Sequence, residues 1–446
     1  MLLLFFFISF RFLMGRRYTS PEILYTLFGF LHVASMFYFS LNPDEFQRFL
    51  GLDIEPSLDA VYQVSFFKIL IDIVYLIVTV FYSGKAGAGF ITSFMRISRL
   101  DIALRSIREL KAFALLLFFV GLIFTYLLIN YAGGLTHLWA NIGMRSELFE
   151  GSGLYFTIAR NSLQFSGFLL FITCAMRGKV LAGVFWIILV GAFLGLTGSR
   201  SSFVFLVFAA ALFYYSMIKK SRISLKLTIC FFVLIVLFAS LGKLRHNSIS
   251  DYDDPLNFVS SAIIEMPRHL APYVSQLRRD VVILEYFENH EFWYGAQYLS
   301  LLMAPLPRNY FPAKPVLDGG RYVTGMYVGL TVEPVMKLWE LPITGWPEGN
   351  MAGYINFGLL GLIAYTIISA VIVKSVYISS LVGSLTLNFL YAYVVFIVPL
   401  TLDPYGIFKF TLCLATLFLF GLLFFVFRVF YTAFRRIFLP EIFNER

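Results

Sequence analysis

Long apolar runs separated by short polar segments dominate the pattern of this chain. Ten of these runs hold roughly 17–25 residues each, the length of an α-helix that crosses the hydrocarbon core of a bilayer. They predict membrane-spanning helices near 22–41, 61–83, 112–131, 154–176, 179–198, 201–218, 225–243, 351–373, 385–402 and 406–427. Residues 1–14 form a shorter apolar stretch interrupted by Arg11, typical of a partial span or an interfacial helix. The pattern therefore predicts an all-α polytopic membrane protein with about 10–11 transmembrane helices.

Composition agrees with a membrane protein. The 446 residues are 59% hydrophobic and only 14% charged, whereas a soluble domain carries about 25% charged residues. The net charge of +9 comes from cations that lie between the apolar runs, which indicates topology determinants rather than a nucleic-acid surface. Cys174, Cys230 and Cys413 fall inside apolar runs without metal-ligand spacing, so we expect neither a disulfide nor a bound metal.

The distribution of Lys and Arg predicts the orientation of the spans. Alternating the ten spans brings most cations to one face, which the positive-inside rule makes cytoplasmic. These cations are Arg16, Arg17, Lys85, Arg96, Arg99, Arg105, Arg108, Lys111, Arg177, Lys179, Lys219, Lys220, Arg222, Lys374, Arg435 and Arg436. Several of these cations lie in segment 84–111, which has the pattern of an amphipathic helix on the membrane surface. The predicted spans divide the chain into three consecutive parts. These are an N-terminal bundle (1–243), a large outer loop (244–350), and C-terminal helices with a short basic tail (351–446).

The outer loop has mixed apolar and charged residues, which predict short helices followed by an extended, proline-rich segment. In that segment, Pro305–Arg321, the cations Arg308, Lys314 and Arg321 accompany a single acid, Asp318. A local excess of cations is typical of a site for a compact anion such as a phosphate or diphosphate. The alternative is that these side chains reach lipid phosphates at the membrane edge.

Three further positions are candidates for chemistry. Arg200, in LTGSRSSF, follows an apolar span at the predicted outer turn, where an ionised residue either binds a ligand or ties down the turn. His269 follows Arg268 in the outer loop, and Arg245 lies at the start of that loop; a loop histidine either acts as a base or simply packs. Glu348 precedes the span at 351–373, where it is either a partly desolvated general base or a first-turn acid of that helix.

The order of LTGSRSSF, PLPRNYFPAKP and EGNMAGYINFGLLGLIAY around a large loop resembles the bacterial O-antigen polymerases, relatives of the O-antigen ligases. The resemblance covers residues 180–373. It implies a GT-C-like membrane glycosyltransferase, without metal or cofactor, whose active site faces the periplasm at the bacterial plasma membrane. Its substrates would be donor and acceptor glycans on undecaprenyl diphosphate, and a chain-length regulator is a further candidate partner besides membrane lipids.

The resemblance also implies roles for individual residues. Arg200 and Arg308 would hold the donor diphosphate. The resemblance leaves the base open, and from the residues themselves we hypothesise that Glu348 takes the hydroxyl proton, with His269 in reserve. Further cations that could assist with the diphosphate are Lys314, Arg321, Arg268 and Arg245, and the aromatic residues placed to stack on sugars are Tyr310, Tyr322 and Trp346.

Two other functions remain open at this point. Ligases tend to carry a histidine before the span that follows the loop, and WPEGN in its place favours a polymerase over a ligase. A flippase or other transporter of lipid-linked glycans would show ionisable residues in mid-span and matched halves. Asp72 is the main candidate buried acid, and the sequence shows no two-half symmetry.

Overall fold

The computed structural model describes residues 20–26, 58–97, 107–140, 148–149, 152–196, 200–215, 277–306, 310–342, 349, 351–381, 384–397 and 402–438. Over these ranges the chain is mostly helical, and an isolated bridge between Pro315 and Lys337 is the one β-type pairing. The prediction of an all-α protein is therefore confirmed for this part of the chain.

Residues 21–26 are helical. The α-helices that follow are α1 (Leu58–Phe81), α2 (Lys85–Ile97), α3 (Ile107–Tyr131), α4 (Leu135–Ala140), α5 (Gly153–Ala175), α6 (Val180–Leu196), α7 (Arg200–Phe213), α8 (Leu277–Glu288), α9 (Gly319–Tyr327), α10 (Met351–Ser380), α11 (Leu385–Ile397) and α12 (Pro404–Phe438). Two 3₁₀ helices, Ala296–Met303 and Leu338–Glu340, lie on either side of α9 in the chain.

Four of the described helices are long and apolar enough to cross a bilayer, over Asp59–Phe81, Ile107–Tyr131, Met351–Ser380 and Pro404–Ala433. Shorter apolar helices cover Val180–Gly195, Ser202–Phe213 and Leu385–Val395. α1, α3, α5 and α6 begin and end within several residues of the predicted spans, whereas α10 and α12 extend beyond their predicted C-terminal ends. Residues 216–218 of the span at 201–218 and residues 398–401 of the span at 385–402 lie outside the described residues. The predicted span at 225–243, most of the span at 22–41 and the stretch 1–14 lie outside the described residues.

The described residues form two compact units. Unit 1 comes from Met1–Gly89, Ile264–Ile378 and Tyr393–Cys413, and unit 2 comes from Phe90–Ile263, Ser379–Ala392 and Leu414–Arg446. These units differ from the three consecutive parts expected from the sequence. The predicted N-terminal bundle is divided, because α1 belongs to unit 1 whereas α3 to α7 belong to unit 2.

In unit 2, α5 is the central helix. Its residues from Phe168 to Ile172 are fully buried, and the ring of Phe165 packs against those of Phe389 and Phe420. Close approach to α3 depends on Gly121, where a Cβ atom would lie 2.7 Å from the Leu163 side chain. Arg160 lies nearer the N-terminal end of α5 and is half-buried, and the Gln164 side-chain amide donates to the Ser202 carbonyl at 3.0 Å.

In unit 1, the folded part of the loop packs onto α1 and the start of α10. Val64 and Ile71 of α1 share one apolar core with Val281 and Leu284 of α8. Tyr322 and its neighbours on α9, Trp293 and Ile355 complete that core. The described part of the loop is therefore a folded element with buried apolar side chains, and α8 is one of the short helices that the mixed apolar and charged pattern predicted.

Helix α10 is broken at Phe357 and Gly358, which corrects the prediction of one continuous span from 351. Gly358 has φ 62° and ψ −150°, a conformation that essentially only glycine adopts. A Cβ atom on Gly353 would lie 2.5 Å from the carbonyl oxygen of Gly361, although eight residues of continuous helix rise about 12 Å. Residues 351–356 thus fold back onto the start of the segment 359–380, which on its own is long enough to cross a bilayer.

The loop holds this break in place. The amides of Trp293 and Tyr294 donate to the carbonyls of Ile355 and Asn356 at 3.1 and 2.9 Å. The Gly295 amide donates to the Asn356 side-chain oxygen at 3.1 Å. These bonds satisfy carbonyls that an uninterrupted helix would pair internally.

Candidate functional site

A charged triad of Lys68, Arg279 and Asp280 is buried where α8 packs on α1. Lys68 Nζ lies 2.8 Å from Asp280 Oδ2, and Arg279 Nε donates to Asp280 Oδ1 at 2.6 Å. All three side chains are largely shielded from solvent. Burying an ion costs several kcal/mol, and attraction to a partner repays that cost only in good geometry, so these three ions depend on one another to remain buried.

The sequence around the triad explains its position. Lys68 lies between Val64 and Ile71 on the side of α1 that packs against α8. Asp280 lies in the first turn of α8, where the helix dipole stabilises a carboxylate. Within the triad two cations share one carboxylate, and the Asp72 carboxyl one turn further along α1 also interacts with Lys68. Guanidinium and ammonium groups are the usual donors to anionic ligands.

Gly349 lies directly against the Arg279 guanidinium. A Cβ atom at Gly349 would lie 2.6 Å from Nη1, and the residue has φ +61°. Both observations explain glycine at this position of the EGN motif, because a side chain would collide and the backbone would be strained. The peptide that follows Glu348 in the sequence is therefore in contact with the triad.

Lys314 and Arg321, the described members of the predicted anion site, have different surroundings. Lys314 Nζ donates to the carbonyl oxygens of Ala304 and Leu306 at 3.0 and 2.7 Å, so it caps the end of a 3₁₀ helix. Arg321 lies in the first turn of α9 and is half-buried; it forms no side-chain hydrogen bond or ion pair with the described part of the chain. Asp318 caps the same helix by accepting from the Gly320 amide at 3.1 Å.

Asp403, which the sequence analysis did not single out, is a buried acid at the start of α12. It is 4% exposed, and its Oδ2 accepts from the Gly406 amide at 3.2 Å, whereas Oδ1 has no partner among the described residues. Burial is the largest effect and raises the pKa of the Asp403 carboxyl to about 6. The Gly406 amide and Lys409 oppose that rise, and the Asp318 carboxylate adds to it.

The aromatic candidates divide into one exposed and one buried residue. Tyr310 is 80% exposed, which leaves its ring accessible. Tyr322 is 0% exposed; its hydroxyl donates to the Val316 carbonyl and accepts from the Met336 amide. We therefore correct the sugar-stacking role for Tyr322, because a ring enclosed in the loop core offers no face to a sugar.

Several predicted residues cannot be placed in this site. Arg200 is the first residue of α7, in unit 2, and only its backbone is described. Glu348, His269, Arg308, Arg268, Arg245 and Trp346 lie outside the described residues.

One member of the triad, Lys68, could have been recognised from the sequence. Lys68 and Asp72 are charged residues one helical turn apart within a predicted span, where ionisable residues are costly and mark function by default. Lys374 was interpreted as a topology determinant, yet it is buried and contacts the Glu22 carboxylate. In both cases a charge inside or beside an apolar run was the clue.

Searches with the sequence and with the fold match no protein-family model, no curated protein and no solved structure.

Proposed function

We propose that the protein is a membrane glycosyltransferase that polymerises oligosaccharide repeat units carried on undecaprenyl diphosphate, at the outer face of a bacterial plasma membrane. The observation that carries the proposal is the buried triad, which presents two cations beneath the folded loop and touches Gly349 of the EGN motif. A diphosphate is the group in this reaction that needs such cations.

In this reaction an acceptor hydroxyl attacks the anomeric carbon of the donor sugar. The new glycosidic bond forms as the bond to the diphosphate oxygen breaks, and the hydroxyl proton passes to a base. Arg279 and Lys68 would stabilise the charge that develops on the departing diphosphate, with Arg308 and Arg321 as further donors. Glu348, next to Gly349 in the sequence, would take the proton.

The exposed aromatic and apolar residues of the loop suit a lipid-linked sugar. Leu299 and Leu302 point outward from the 3₁₀ helix Ala296–Met303, whereas Gln297 and Ser300 are buried. This polarity is the reverse of a water-facing helix and is typical of an element in contact with lipid. Tyr310 is in the following segment and would meet a sugar bound near that surface.

The test is the glycan profile of a deletion strain and its complementation. Loss of a polymerase leaves single repeat units on the final acceptor. Lipid-linked polymer would instead indicate a ligase, and intermediates trapped in the cytoplasm would indicate a flippase; either result overturns the proposal. Complementation with Arg279→Ala should give single units when it is compared with the wild type at matched protein level.

A matched control is Lys337→Met. Lys337 is a cation of the same loop, but it is exposed and pairs only loosely with Glu340 at 3.9 Å. Complementation with Lys337→Met should restore long polymer, because surface ion pairs of this kind contribute only about 0–1 kcal/mol to stability. If Arg279→Ala and Lys337→Met behave alike, the triad does not bind the diphosphate.

A further inference from the structure

Unit 1 contains a second set of buried ionisable residues that the proposed transfer reaction does not use. Glu22 and Lys374 are in contact, and Asp72 lies in the middle of α1, with Tyr25 and Tyr75 between them. Charged side chains inside membrane spans are expensive and usually mark ion pathways or proton relays.

The set begins at the charged triad. Lys68 and Asp72 are four residues apart on α1, so they lie on the same side of the helix and interact electrostatically. Asp280 approaches Lys68 from the loop at 2.8 Å. On its other side, the Asp72 carboxylate lies within hydrogen-bonding reach of the Tyr25 hydroxyl.

From Asp72 the series of ionisable residues continues along α1 towards its C-terminal end. The rings of Tyr25 and Tyr75 are stacked with centroids 3.8 Å apart, and their hydroxyls interact electrostatically. Glu22 faces Tyr75 and contacts the Lys374 ammonium.

Lys374 lies at the far end of this series. Its aliphatic stem packs against Gly84, just beyond the last residue of α1. From Lys68 to Phe81 the helix rises about 20 Å, which is two-thirds of a hydrocarbon core about 30 Å thick.

We propose that this series, Asp72, Tyr25, Tyr75, Glu22 and Lys374, conducts protons along α1 between the triad and the Gly84 end of unit 1. Carboxyl and phenol groups both donate and accept protons, so each can pass one proton onward and regain one from its neighbour. At the Gly84 end of the series, the Lys374 ammonium would give a proton to water and regain one from the Glu22 carboxyl, which in turn regains one from Tyr75.

The arrangement exceeds what structural pairing requires. Neutralising Glu22 needs only Lys374, and Lys68 already has Asp280 as its partner. The two phenols add nothing to either pair, yet they occupy the interval between the acid at Asp72 and the acid at Glu22. Among the described residues, the other titratable groups near the series are Arg279 and Asp280 of α8, Tyr82 after α1 and Tyr377 of α10.

The test uses the full-length protein in liposomes of phosphatidylcholine and phosphatidylglycerol that enclose a pH-sensitive dye. A potassium gradient with valinomycin drives proton entry, and no glycan is present, so the result does not depend on the proposed transferase. We expect proton flux above that of empty liposomes. Asp72→Asn and Glu22→Gln should each lower the flux by about 100-fold, the lower end of what a positioned proton carrier contributes.

Tyr25→Phe separates conduction from structure. It keeps the ring that stacks on Tyr75 and removes only the hydroxyl, so it should fold normally and still block the flux. The control is Glu109→Gln, which removes an ion pair with Arg428 in unit 2 and should leave the flux unchanged. Wild-type flux equal to that of empty liposomes, or normal flux in Tyr25→Phe, overturns the proposal, even where Asp72→Asn fails to fold.

Discussion

The Lys68 ammonium on α1 lies 2.8 Å from the carboxylate of Asp280 on α8. The two residues are far apart in the sequence, and their contact ties a candidate membrane helix to the folded loop. Arg279 joins the same carboxylate, so Asp280 is the acceptor for two cations.

Asp280→Asn is expected to be the most damaging change in the triad. It leaves Lys68 and Arg279 buried against a neutral amide, whereas Lys68→Met still leaves Asp280 paired with Arg279. Removing one partner of a buried pair costs about 3–5 kcal/mol, so Asp280→Asn should lie at the upper end and Lys68→Met below it. Thermal unfolding in detergent measures both, with Glu340→Gln in the exposed Lys337 pair as the control. Equal stability of Asp280→Asn and the wild type would show that the triad is not a tight ionic cluster.

Gly349→Ala should displace the Arg279 guanidinium. The new Cβ would lie 2.6 Å from Nη1, and the backbone also has positive φ. Gly329→Ala is the matched control, because Gly329 has φ +79° but a Cβ atom added there would meet nothing within 4 Å. Both variants incur the backbone strain of roughly 1–2 kcal/mol for a left-handed residue. Any further loss of stability or of polymer in Gly349→Ala reports the contact with Arg279, and identical behaviour of the two variants would contradict it.

Asp403 should make stability fall as pH rises. Its pKa is raised from 3.8 to about 6 by burial, so only well below pH 3.8 is the carboxyl protonated in both the folded and the unfolded protein. Between pH 4 and 6 the unfolded chain releases its proton first, and stability is lost as the pH passes through the folded-state pKa. The loss is at most about 3 kcal/mol.

Asp403→Asn tests this dependence without removing the helix cap. Asparagine is as good an N-cap as aspartate and can accept from the Gly406 amide. The variant should therefore lose the pH dependence between pH 4 and 6 and be at least as stable as the wild type at pH 7. Unfolding midpoints measured across that range decide the matter, and an unchanged slope in the variant would assign the dependence to another group.

Tyr322→Phe and Tyr310→Ala should have opposite effects. Removing the Tyr322 hydroxyl leaves the Met336 amide without its acceptor, at a cost of about 1–3 kcal/mol, and should not change KM for the glycan. Tyr310 is exposed, so Tyr310→Ala should leave stability unchanged and raise KM if its ring stacks on sugar. A raised KM in Tyr322→Phe at wild-type stability would restore that residue to the binding site.

The sequence predicted the long apolar helices among the described residues because apolar runs of membrane length carry a strong local signal, but it did not predict short helices such as α4 and α9. It did not predict that Lys68 meets Asp280, since that contact depends on tertiary packing between a span and a loop. It also missed the break at Gly358, because glycine is common in membrane helices and the apolar pattern continues through NFGLLG. Asp72 was recognised as a buried acid, but its partner Tyr25 lies in a different predicted span.

Gly361→Ala tests the fold-back of α10 against simple helix propensity. Alanine favours a helix over glycine by about 1 kcal/mol, so propensity alone predicts stabilisation. The structure predicts the reverse, because a Cβ at Gly361 would lie 2.2 Å from the Gly353 carbonyl oxygen. Gly195→Ala in α6 is the control, since its added methyl meets nothing within 4 Å and should be neutral or stabilising. Lower unfolding temperature in Gly361→Ala together with an unchanged or higher one in Gly195→Ala supports the break, whereas a gain in both variants indicates a continuous helix.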